Sequence, residues 1–490
     1  MNKIFLLLLF VYALNVNAQV SESAKNYGTL ITPSDLKDNL SIIASDALEG
    51  RETGTRGQKM AAAFIANHFQ ELGLIAPVNG SNFQTVELYG TTPPVVSLGS
   101  GSTSLIPFED FAYIGSASTD GQIETPLIFI GMGKEEDLKQ ITVTGKSVIA
   151  ILEQGASLRN NPVITALRDK EAKEFFIVVE SKEIYATISS FAKGNDRLSL
   201  TKSSMPGLFI LTTTGAEKLF KMPLEKLKKG SADKKLAKLK PAMISYSIAQ
   251  SFKEVRSENV LGYLEGIDKK DELVVITAHY DHIGKKKSGE GDLINNGADD
   301  DGSGTVAVMA LAKAFVTAKK EGKGPRRSIL FMTVTGEEKG LLGSDYYTQH
   351  PIFPLANTVV DLNIDMIGRS DPQHKDSAPY VYVVGSDKLS SDLHTLSESI
   401  NKASTNLIFD YTYNDQNHPD RIYYRSDHWN FAKNNIPIIF YFDGIHEDYH
   451  RVTDEVEKIN FDLLTQRAQC VFYTAWEIAN RDQRLAIDKN

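Results

Sequence analysis

Histidines and carboxylates stand at five places in this chain where an apolar run stops or is about to begin. They are His279-Tyr280-Asp281 after LVVITA, Asp299-Asp300-Asp301 before TVAVMALAKAF, Glu337-Glu338 after SILFMTVT, Asp365 after LNI, and His450 after IPIIFYFDG. Imidazole and carboxylate ligands without thiolates favour zinc in a hydrolytic role, and two ions need about five or six of them, including one bridging carboxylate. A lone histidine at a strand end is more often structural, but five such coincidences favour a two-metal site.

The elements that must position these residues have an alternating rhythm. LVVIT is a continuous β-branched run and predicts a buried strand, whereas Thr305 to Phe315 has the spacing of a helix. From about residue 252 to the end, strand-like and helix-like runs alternate, which predicts a largely parallel sheet covered by helices on both faces. We therefore expect a three-layer α/β/α domain with a mixed, largely parallel sheet, and a site outside the carboxyl ends of its strands.

A segment of different texture interrupts this domain. Residues 92–251 contain short β-rich runs such as PLIFIG and KSVIAIL between Gly, Ser and Asp turns, with a helix or two among them. Residues 19–91 read as helices around the polar loop LEGRETGTRG, followed by a strand. The predicted organisation is a first part of the α/β domain (19–91), a β-rich insert (92–251) and a second part that carries the site (252–490).

The first eighteen residues predict a secretory signal peptide. Lys3 is followed by an apolar run from Ile4 to Leu14 and by the small-residue site Val16-Asn17-Ala18. No later run reaches about 18 uninterrupted apolar residues, so we expect no membrane span. We expect an exported protein, periplasmic or extracellular.

Charge and cysteine content narrow the range of partners. The formal net charge of −9 makes nucleic acid an improbable partner. The single Cys470 lies in an apolar helical context and excludes both an internal disulfide and a cysteine metal site. Nothing in the sequence indicates the oligomeric state.

Five motifs between about residues 251 and 456 resemble the M28 family of co-catalytic zinc metallopeptidases, the aminopeptidase group. They are AHYDHIG, GADDDGSG, TGEEKGLLGS, NIDMIG and DYHRVTDEV. The resemblance implies two Zn²⁺ per chain, with His279 and Asp365 on one ion, Glu338 and His450 on the other, and Asp300 bridging them. It also implies a cis peptide bond from Asp300 to Asp301. The β-rich insert resembles the protease-associated (PA) domain of secreted members, with a role as a spacer or in substrate access.

Three further roles follow from this resemblance. Asp281 is expected to orient the imidazole of His279 through its other nitrogen. Since only one of two adjacent residues leaving a strand can enter a given coordination sphere, Glu337 can face the attacking water and act as general base. A tyrosine before SDHWNF is expected to donate to the oxyanion, and we choose Tyr423 over Tyr424.

Alternatives to an aminopeptidase acting on peptides stay open. His446-Glu447-Asp448-Tyr449-His450 matches H-E-x-x-H, the signature of single-zinc proteases, but it follows a strand and an Asp-Gly turn and lacks an apolar helical flank. The single-zinc glutaminyl cyclases are related, although the presence of both His279 and Asp365 favours two metals. Carboxypeptidase activity and a catalytically silent, receptor-like binding protein are the remaining alternatives.

Overall fold

The protein is described here by a computed structural model. It describes residues 20–139, 141–153, 155, 156, 158, 161–194, 197–202, 207–232 and 236–489. The predicted signal peptide, residues 1–18, lies outside them. Two compact units are present: one combines Met1–Val86 with Arg256–Asn490, and the other is Glu87–Val255. Within the described residues, every helix is too short or too polar to cross a lipid bilayer.

The described residues form helices and strands throughout the chain. The helices are α1 (Glu22–Gly28), α2 (Pro33–Ile43), α3 (Arg56–Leu72), α4 (Glu135–Leu138), α5 (Pro162–Asp169), α6 (Lys182–Lys193), α7 (Thr213–Phe220), α8 (Leu224–Ala232), α9 (Gly304–Lys320), α10 (Leu342–Gln349), α11 (Ser391–Ala403), α12 (His428–Ala432) and α13 (Phe461–Asn480). The strands are β1 (Phe83–Thr91), β2 (Val95–Ser100), β3 (Thr103–Ser104), β4 (Phe111–Ile114), β5 (Ile123–Phe129), β6 (Ser147–Ile151), β7 (Glu174–Val178), β8 (Arg197–Ser199), β9 (Leu208–Leu211), β10 (Ala242–Ala249), β11 (Phe252–Leu264), β12 (Lys269–His279), β13 (Arg327–Val334), β14 (Thr358–Ile364), β15 (Tyr380–Val384), β16 (Ile408–Asp410) and β17 (Ile438–Phe442).

The first unit is built on a mixed sheet in the order β16-β15-β17-β14-β12-β13-β11-β1. Its central strands β17, β14, β12 and β13 are parallel, while β11 and β15 pair antiparallel with their inner neighbours. The register places His279 beside Val334 and Val274 beside Val360. The carboxyl ends of the central strands therefore meet at one edge, as predicted.

Each face of this sheet is buried under helices because the central strands are nearly continuous apolar runs, whose successive side chains point to opposite faces. In β12, Val274 and Ile276 pack in a cluster that includes α9 and α13, whereas Leu273 and Val275 pack in a second cluster that includes α10 and α12. These clusters lie on opposite faces. The predicted three-layer α/β fold is confirmed.

Local signals explain where the helices that support the site begin and end. Helix α9 is buried along most of its length, consistent with its nearly continuous apolar sequence. Helix α13 starts at the cap Asn460, whose side chain accepts from the N–H of Leu463. Helix α3 ends at Gly73, which has a left-handed conformation with φ of 85°. These helices fix the layer beneath the strand ends.

The second unit, Glu87–Val255, has its own eight-stranded sheet in the order β3-β2-β10-β5-β6-β7-β9-β4. Strands β5, β6, β7 and β9 are parallel, and apolar clusters cover both faces. The unit contains α4 to α8 and is more helical than predicted for residues 92–251. Helices of four to twelve residues show too few turns for their periodicity to stand out among short strands. Its likeness to a PA domain stays a prediction.

Candidate metal centre

The predicted metal ligands all reach the same edge of the sheet in the first unit. They are His279 at the end of β12, Glu338 after β13, Asp365 after β14, His450 after β17, and Asp300 in the turn Ala298–Ser303 before α9. The chain leaves β13 through Gly336, which has a φ of 69° that L side chains rarely adopt. That turn brings the following glutamates back over the strand ends.

Asp300 stands between two groups of ligand atoms. Its Oδ1 lies 3.3 Å from Nε2 of His279, which is also 3.6 Å from Oδ1 of Asp365. Its Oδ2 lies 3.1 Å from Nε2 of His450, which is also 3.1 Å from Oε2 of Glu338. Each oxygen of one carboxylate therefore faces its own histidine and its own second carboxylate.

These spacings suit zinc. Four ligands at about 2.0–2.2 Å from a tetrahedral ion lie roughly 3.3–3.6 Å from one another. The distances across the first group, 3.3 and 3.6 Å, match this range, and those across the second, both 3.1 Å, are slightly shorter. The residues present thus fit two zinc ions, one in each group.

The charge balance of the cluster also calls for cations. Burial raises the pKa of Glu337 well above its usual range, and the neighbouring Glu338 and Asp365 raise it further. Burial lowers the pKa of His450, but its contacts with Asp300 and Glu338 outweigh this and raise the pKa to about 10. The protein gathers more carboxylates than its own cations offset, an excess that bound divalent ions neutralise.

Asp281 lies where the sequence predicts it, but it orients His279 differently. Nδ1 of His279 is 3.0 Å from the main-chain oxygen of Asp281 and 3.9 Å from its carboxylate Oδ1. The fully buried carboxylate instead accepts from the Thr53 hydroxyl at 2.7 Å and from the Glu337 N–H at 3.2 Å. Its side chain therefore holds the segment that carries Glu337, and its backbone holds the imidazole.

Arg51, from the polar loop LEGRETGTRG, ties together the segments on either side of the metal ligands. The fully buried guanidinium donates to the carbonyls of Tyr280 at 2.8 Å, Asn296 at 2.6 Å and Gly297 at 2.9 Å, and to Ile43 at 2.7 Å. Tyr280 directly follows the ligand His279, and Asn296 and Gly297 precede the triplet Asp299-Asp300-Asp301. Sequence reasoning missed this role because three of the four acceptors are 229 to 246 positions away from Arg51.

Asp301 is a buried neighbour of the bridging position with a structural role. Its carboxylate accepts backbone N–H bonds from His279 at 3.1 Å, Gly304 at 2.9 Å and Met366 at 3.0 Å. A carboxylate oxygen of Asp301 also lies within 4.8 Å of ligand atoms of His279 and Asp365. Three backbone donors occupy both oxygens of Asp301, however, whereas the oxygens of Asp300 face His279 and His450. The predicted cis peptide bond between Asp300 and Asp301 is present.

The tyrosine chosen from the sequence does not reach the site. Tyr423 is buried in the core of the first unit, where its ring packs edge-on against Tyr424, His428 and Trp429. Tyr449 instead lines the cavity beside His279 and Glu337. The short helical turn at 422–424 buries the Tyr423 ring, which spacing alone does not show, so Tyr423 is not among the residues that line this cavity.

Tyr449 has the contacts expected of a hydroxyl donor at this site. Its ring stacks on His450 with centroids 4.0 Å apart, and its hydroxyl accepts from Arg425 Nη2 at 3.2 Å. Burial and the charges of Asp300 and Glu338 raise its pKa, so the hydroxyl keeps its proton. The sequence does not distinguish Tyr449 from nearby tyrosines, because its position depends on how the loop that carries His450 folds.

The H-E-x-x-H match is not a metal-binding helix. Residues 446–450 form turns, and His446 Nε2 lies 3.2 Å from Oδ2 of Asp299. The Glu447 side chain is 69% exposed and 3.6 Å from Arg369. His446 and His450 therefore face different aspartates, Asp299 and Asp300, and residues 446–450 do not form the helix that the single-zinc motif requires.

A second histidine of the AHYDHIG motif enters the cluster. His282 is fully buried, and its Nδ1 lies 2.8 Å from Oε1 of Glu338 and 3.8 Å from Oδ2 of Asp300. These three residues can offer ligand atoms that lie within 4.8 Å of one another. The sequence did not single out His282 because a histidine three residues past a strand end has no fixed direction.

A cavity opens directly beside the first group of ligands. Its polar wall contains His279, Asp300, Glu337 and Asp365, with Arg425 and Tyr449 further along. Its apolar wall is made of Met366, Ile422, Phe440, Phe442 and Ile445. A polar and an apolar wall therefore meet beside the metal ligands.

Sequence comparison decides the family. Residues 259–475 match the profile of peptidase family M28, and this span contains every ligand named above. The part of this chain that carries the metal ligands matches peptidase family M28. The aminopeptidase YwaD of Bacillus subtilis is 25% identical to this protein over 449 residues, which cover 90% of this chain and 84% of that one.

Solved structures share the fold. An aminopeptidase from Aneurinibacillus sp. strain AM-1 superposes with a TM-score of 0.56 at 17% identity, covering 95% of this chain and 98% of that one. A zinc aminopeptidase from Bacillus subtilis gives 0.51 at 18% identity, covering 94% and 99%. The predicted zinc metallopeptidase of the M28 family is confirmed.

Proposed function

We propose that this protein is a two-zinc aminopeptidase that removes N-terminal residues from peptides. The observation that carries the proposal is the position of Asp300, whose two carboxylate oxygens face two separate histidine–carboxylate groups. One carboxylate shared in this way is the arrangement that two co-catalytic ions require. The first ion would be held by His279, Asp300 and Asp365, and the second by Asp300, Glu338 and His450.

The chain's own residues divide the work of peptide hydrolysis. When bound, the zinc ions would polarise the scissile carbonyl and lower the pKa of the attacking water molecule, so that it loses a proton readily. Glu337 lines the cavity with Oε2 3.9 Å from Nε2 of His279, close enough to take the proton of that water and pass it to the leaving amine. The protonated hydroxyl of Tyr449 is proposed to donate to the carbonyl oxygen as negative charge develops on it.

Preference for the amino end is proposed from the apolar wall of the cavity and from the relatives. The polar wall carries both signs of charge, with Glu337, Asp365 and Arg425. The apolar wall that includes Phe440 and Phe442 suits an apolar N-terminal side chain. The relative YwaD and both solved structures carry the name aminopeptidase, which supports the same end preference.

The proposal is tested by metal analysis together with a substrate panel. We expect about two zinc ions per folded chain, loss of hydrolysis on chelation and its return on adding zinc. Leucyl anilide should be cleaved, whereas its N-acetylated counterpart should not. Cleavage of N-blocked peptides from the carboxyl end would instead establish a carboxypeptidase. Full activity with one tightly bound ion would refute the two-zinc assignment.

The place of action is proposed from residues 1–18, which have the features of a signal peptide. We infer export to the periplasm or the extracellular space. The mature protein recovered from that fraction should begin at Gln19, which N-terminal sequencing measures directly.

A further inference from the structure

His282 is a fully buried imidazole without an aligned hydrogen-bond partner. Neither of its ring nitrogens makes a hydrogen bond within the described part of the chain. Buried polar groups almost always have a partner, so each exception needs an explanation. Two carboxylate oxygens that face the same space, Oε1 of Glu338 and Oδ2 of Asp300, also lack an aligned donor there.

The distances show what these atoms share. Nδ1 of His282 is 2.8 Å from Oε1 of Glu338, but the direction needed for a hydrogen bond is missing. The same nitrogen is 3.8 Å from Oδ2 of Asp300, the oxygen that faces His450. Ligand atoms that all point at one metal ion lie close together without being aligned for hydrogen bonds to each other.

The backbone holds this imidazole in place independently of any ion. The N–H of His282 donates to the carbonyl of Arg51 at 3.2 Å, and the same segment forms a parallel bridge between Glu52 and His282. A Cβ at Gly297, where φ is 56°, would stand 2.6 Å from Cδ2 of the imidazole. Glycine at this position lets the ring approach the ligand loop closely.

We propose that Nδ1 of His282 is a fourth protein ligand of the second zinc ion, beside Asp300, Glu338 and His450. This inference rests on the proposed two-zinc function. It makes the two sites unequal, because the first keeps only three protein ligands, His279, Asp300 and Asp365. Sites closed by four protein ligands are typical of structural zinc, and sites with three keep a position open for reactants. The open position then lies beside Glu337.

The test compares the wild-type enzyme with His282→Gln and with His428→Gln as a matched control. His428 is equally buried but lies outside the ligand cluster, where it bonds the main-chain oxygen of Tyr423 at 2.8 Å. Each protein is stripped of metal, its folding is verified by circular dichroism, and Zn²⁺ affinity is measured by chelator competition. Cobalt is then titrated in, and the visible absorption that reports the coordination of each ion is recorded.

Loss of a ligand should weaken the second zinc at least about 100-fold, beyond the 10- to 100-fold typical of residues that only orient ligands. It should also change the cobalt spectrum of that ion, while His428→Gln changes neither quantity. Unchanged cobalt absorption in His282→Gln would overturn the inference even if affinity fell, since orientation alone would explain that result. A wild-type protein that binds fewer than two ions would instead refute the proposed two-zinc function itself.

Discussion

Replacing Glu337 by Gln tests the central chemical assignment. The amide keeps the volume of the side chain and its hydrogen bonds but cannot accept a proton from water. General acid–base catalysis is typically worth about 10² to 10⁴ in rate, or roughly 2.7 to 5.4 kcal/mol of activation free energy. Because Glu337 lines the cavity and stays outside the two groups that hold the ions, zinc content should be unchanged.

Two neighbouring glutamates serve as comparisons for this variant. Glu338→Gln should lower both kcat and zinc occupancy, because its Oε2 lies 3.1 Å from Nε2 of His450. Glu447→Gln should change kcat less than about fivefold, since Glu447 is mostly exposed and its 3.6 Å contact with Arg369 is worth about 1 kcal/mol. The assay is kcat and KM on leucyl anilide, with zinc measured on the same samples.

One result would refute the reasoning behind this series. If Glu337→Gln kept its kcat while Glu447→Gln lost it, the proton acceptor would lie in the loop that carries His450. If Glu337→Gln lost zinc in proportion to activity, Glu337 would be a ligand rather than a base. Only a fall in kcat at constant zinc content supports the assignment.

Three further predictions concern residues around the site and the core. Tyr449→Phe should lower kcat by about 10²-fold, the usual worth of one oxyanion donor, whereas the kcat of Tyr423→Phe should stay within about twofold of the wild type. Steady-state kinetics of both variants measures this. A larger loss of kcat in Tyr423→Phe than in Tyr449→Phe would contradict the placement of Tyr449. Burial lowers the pKa of His428 to about 3 from an ordinary value of 6.5, so the unfolded chain binds a proton between these values that the folded chain does not. The stability that this neutral imidazole contributes above pH 6.5 is lost as pH falls toward 3, and the loss is about 2 kcal/mol at pH 5. The unfolding free energy measured in urea should therefore depend less on pH in His428→Gln than in the wild type. An identical pH dependence in both proteins would contradict the prediction. Arg51→Met leaves buried carbonyls unpaired, which costs roughly 1 to 3 kcal/mol each. The variant should therefore lose at least about 3 kcal/mol of unfolding free energy and also bind zinc more weakly. A stable variant with full zinc affinity would show that Arg51 does not organise the ligand segments.

The ends of the strands could be predicted, and so could the fact that the residues at these ends lie close together. Apolar β-branched runs define β12, β13 and β14, and parallel strands bring their carboxyl ends to one edge, where His279, Glu338 and Asp365 lie. The direction of individual side chains was not predictable in the same way. Asp281 holds the imidazole through its carbonyl rather than its carboxylate, a choice fixed by backbone dihedral angles that residue type does not encode.

Loops account for the other differences between sequence and structure. Tyr423 and Tyr449 both stand near a strand or a turn in the sequence, yet only the folded loop places Tyr449 on the cavity and Tyr423 in the core. Arg51 has apolar and polar neighbours typical of any surface loop, and its burial follows from partners far along the chain. Long-range pairing of this kind leaves no local pattern for a sequence to display.

The four hydrogen bonds of Arg51 also constrain the order in which the chain can assemble. Ile43, the nearest acceptor, is eight residues away, but the acceptors at Tyr280 and Asn296 are synthesised only after the whole segment Glu87–Val255. During translation the guanidinium therefore lacks three of its four acceptors until residues 280–297 have been added. A nascent chain cut short before residue 280 also lacks Asp300, Glu337, Glu338, Asp365 and His450, and so has no hydrolytic site.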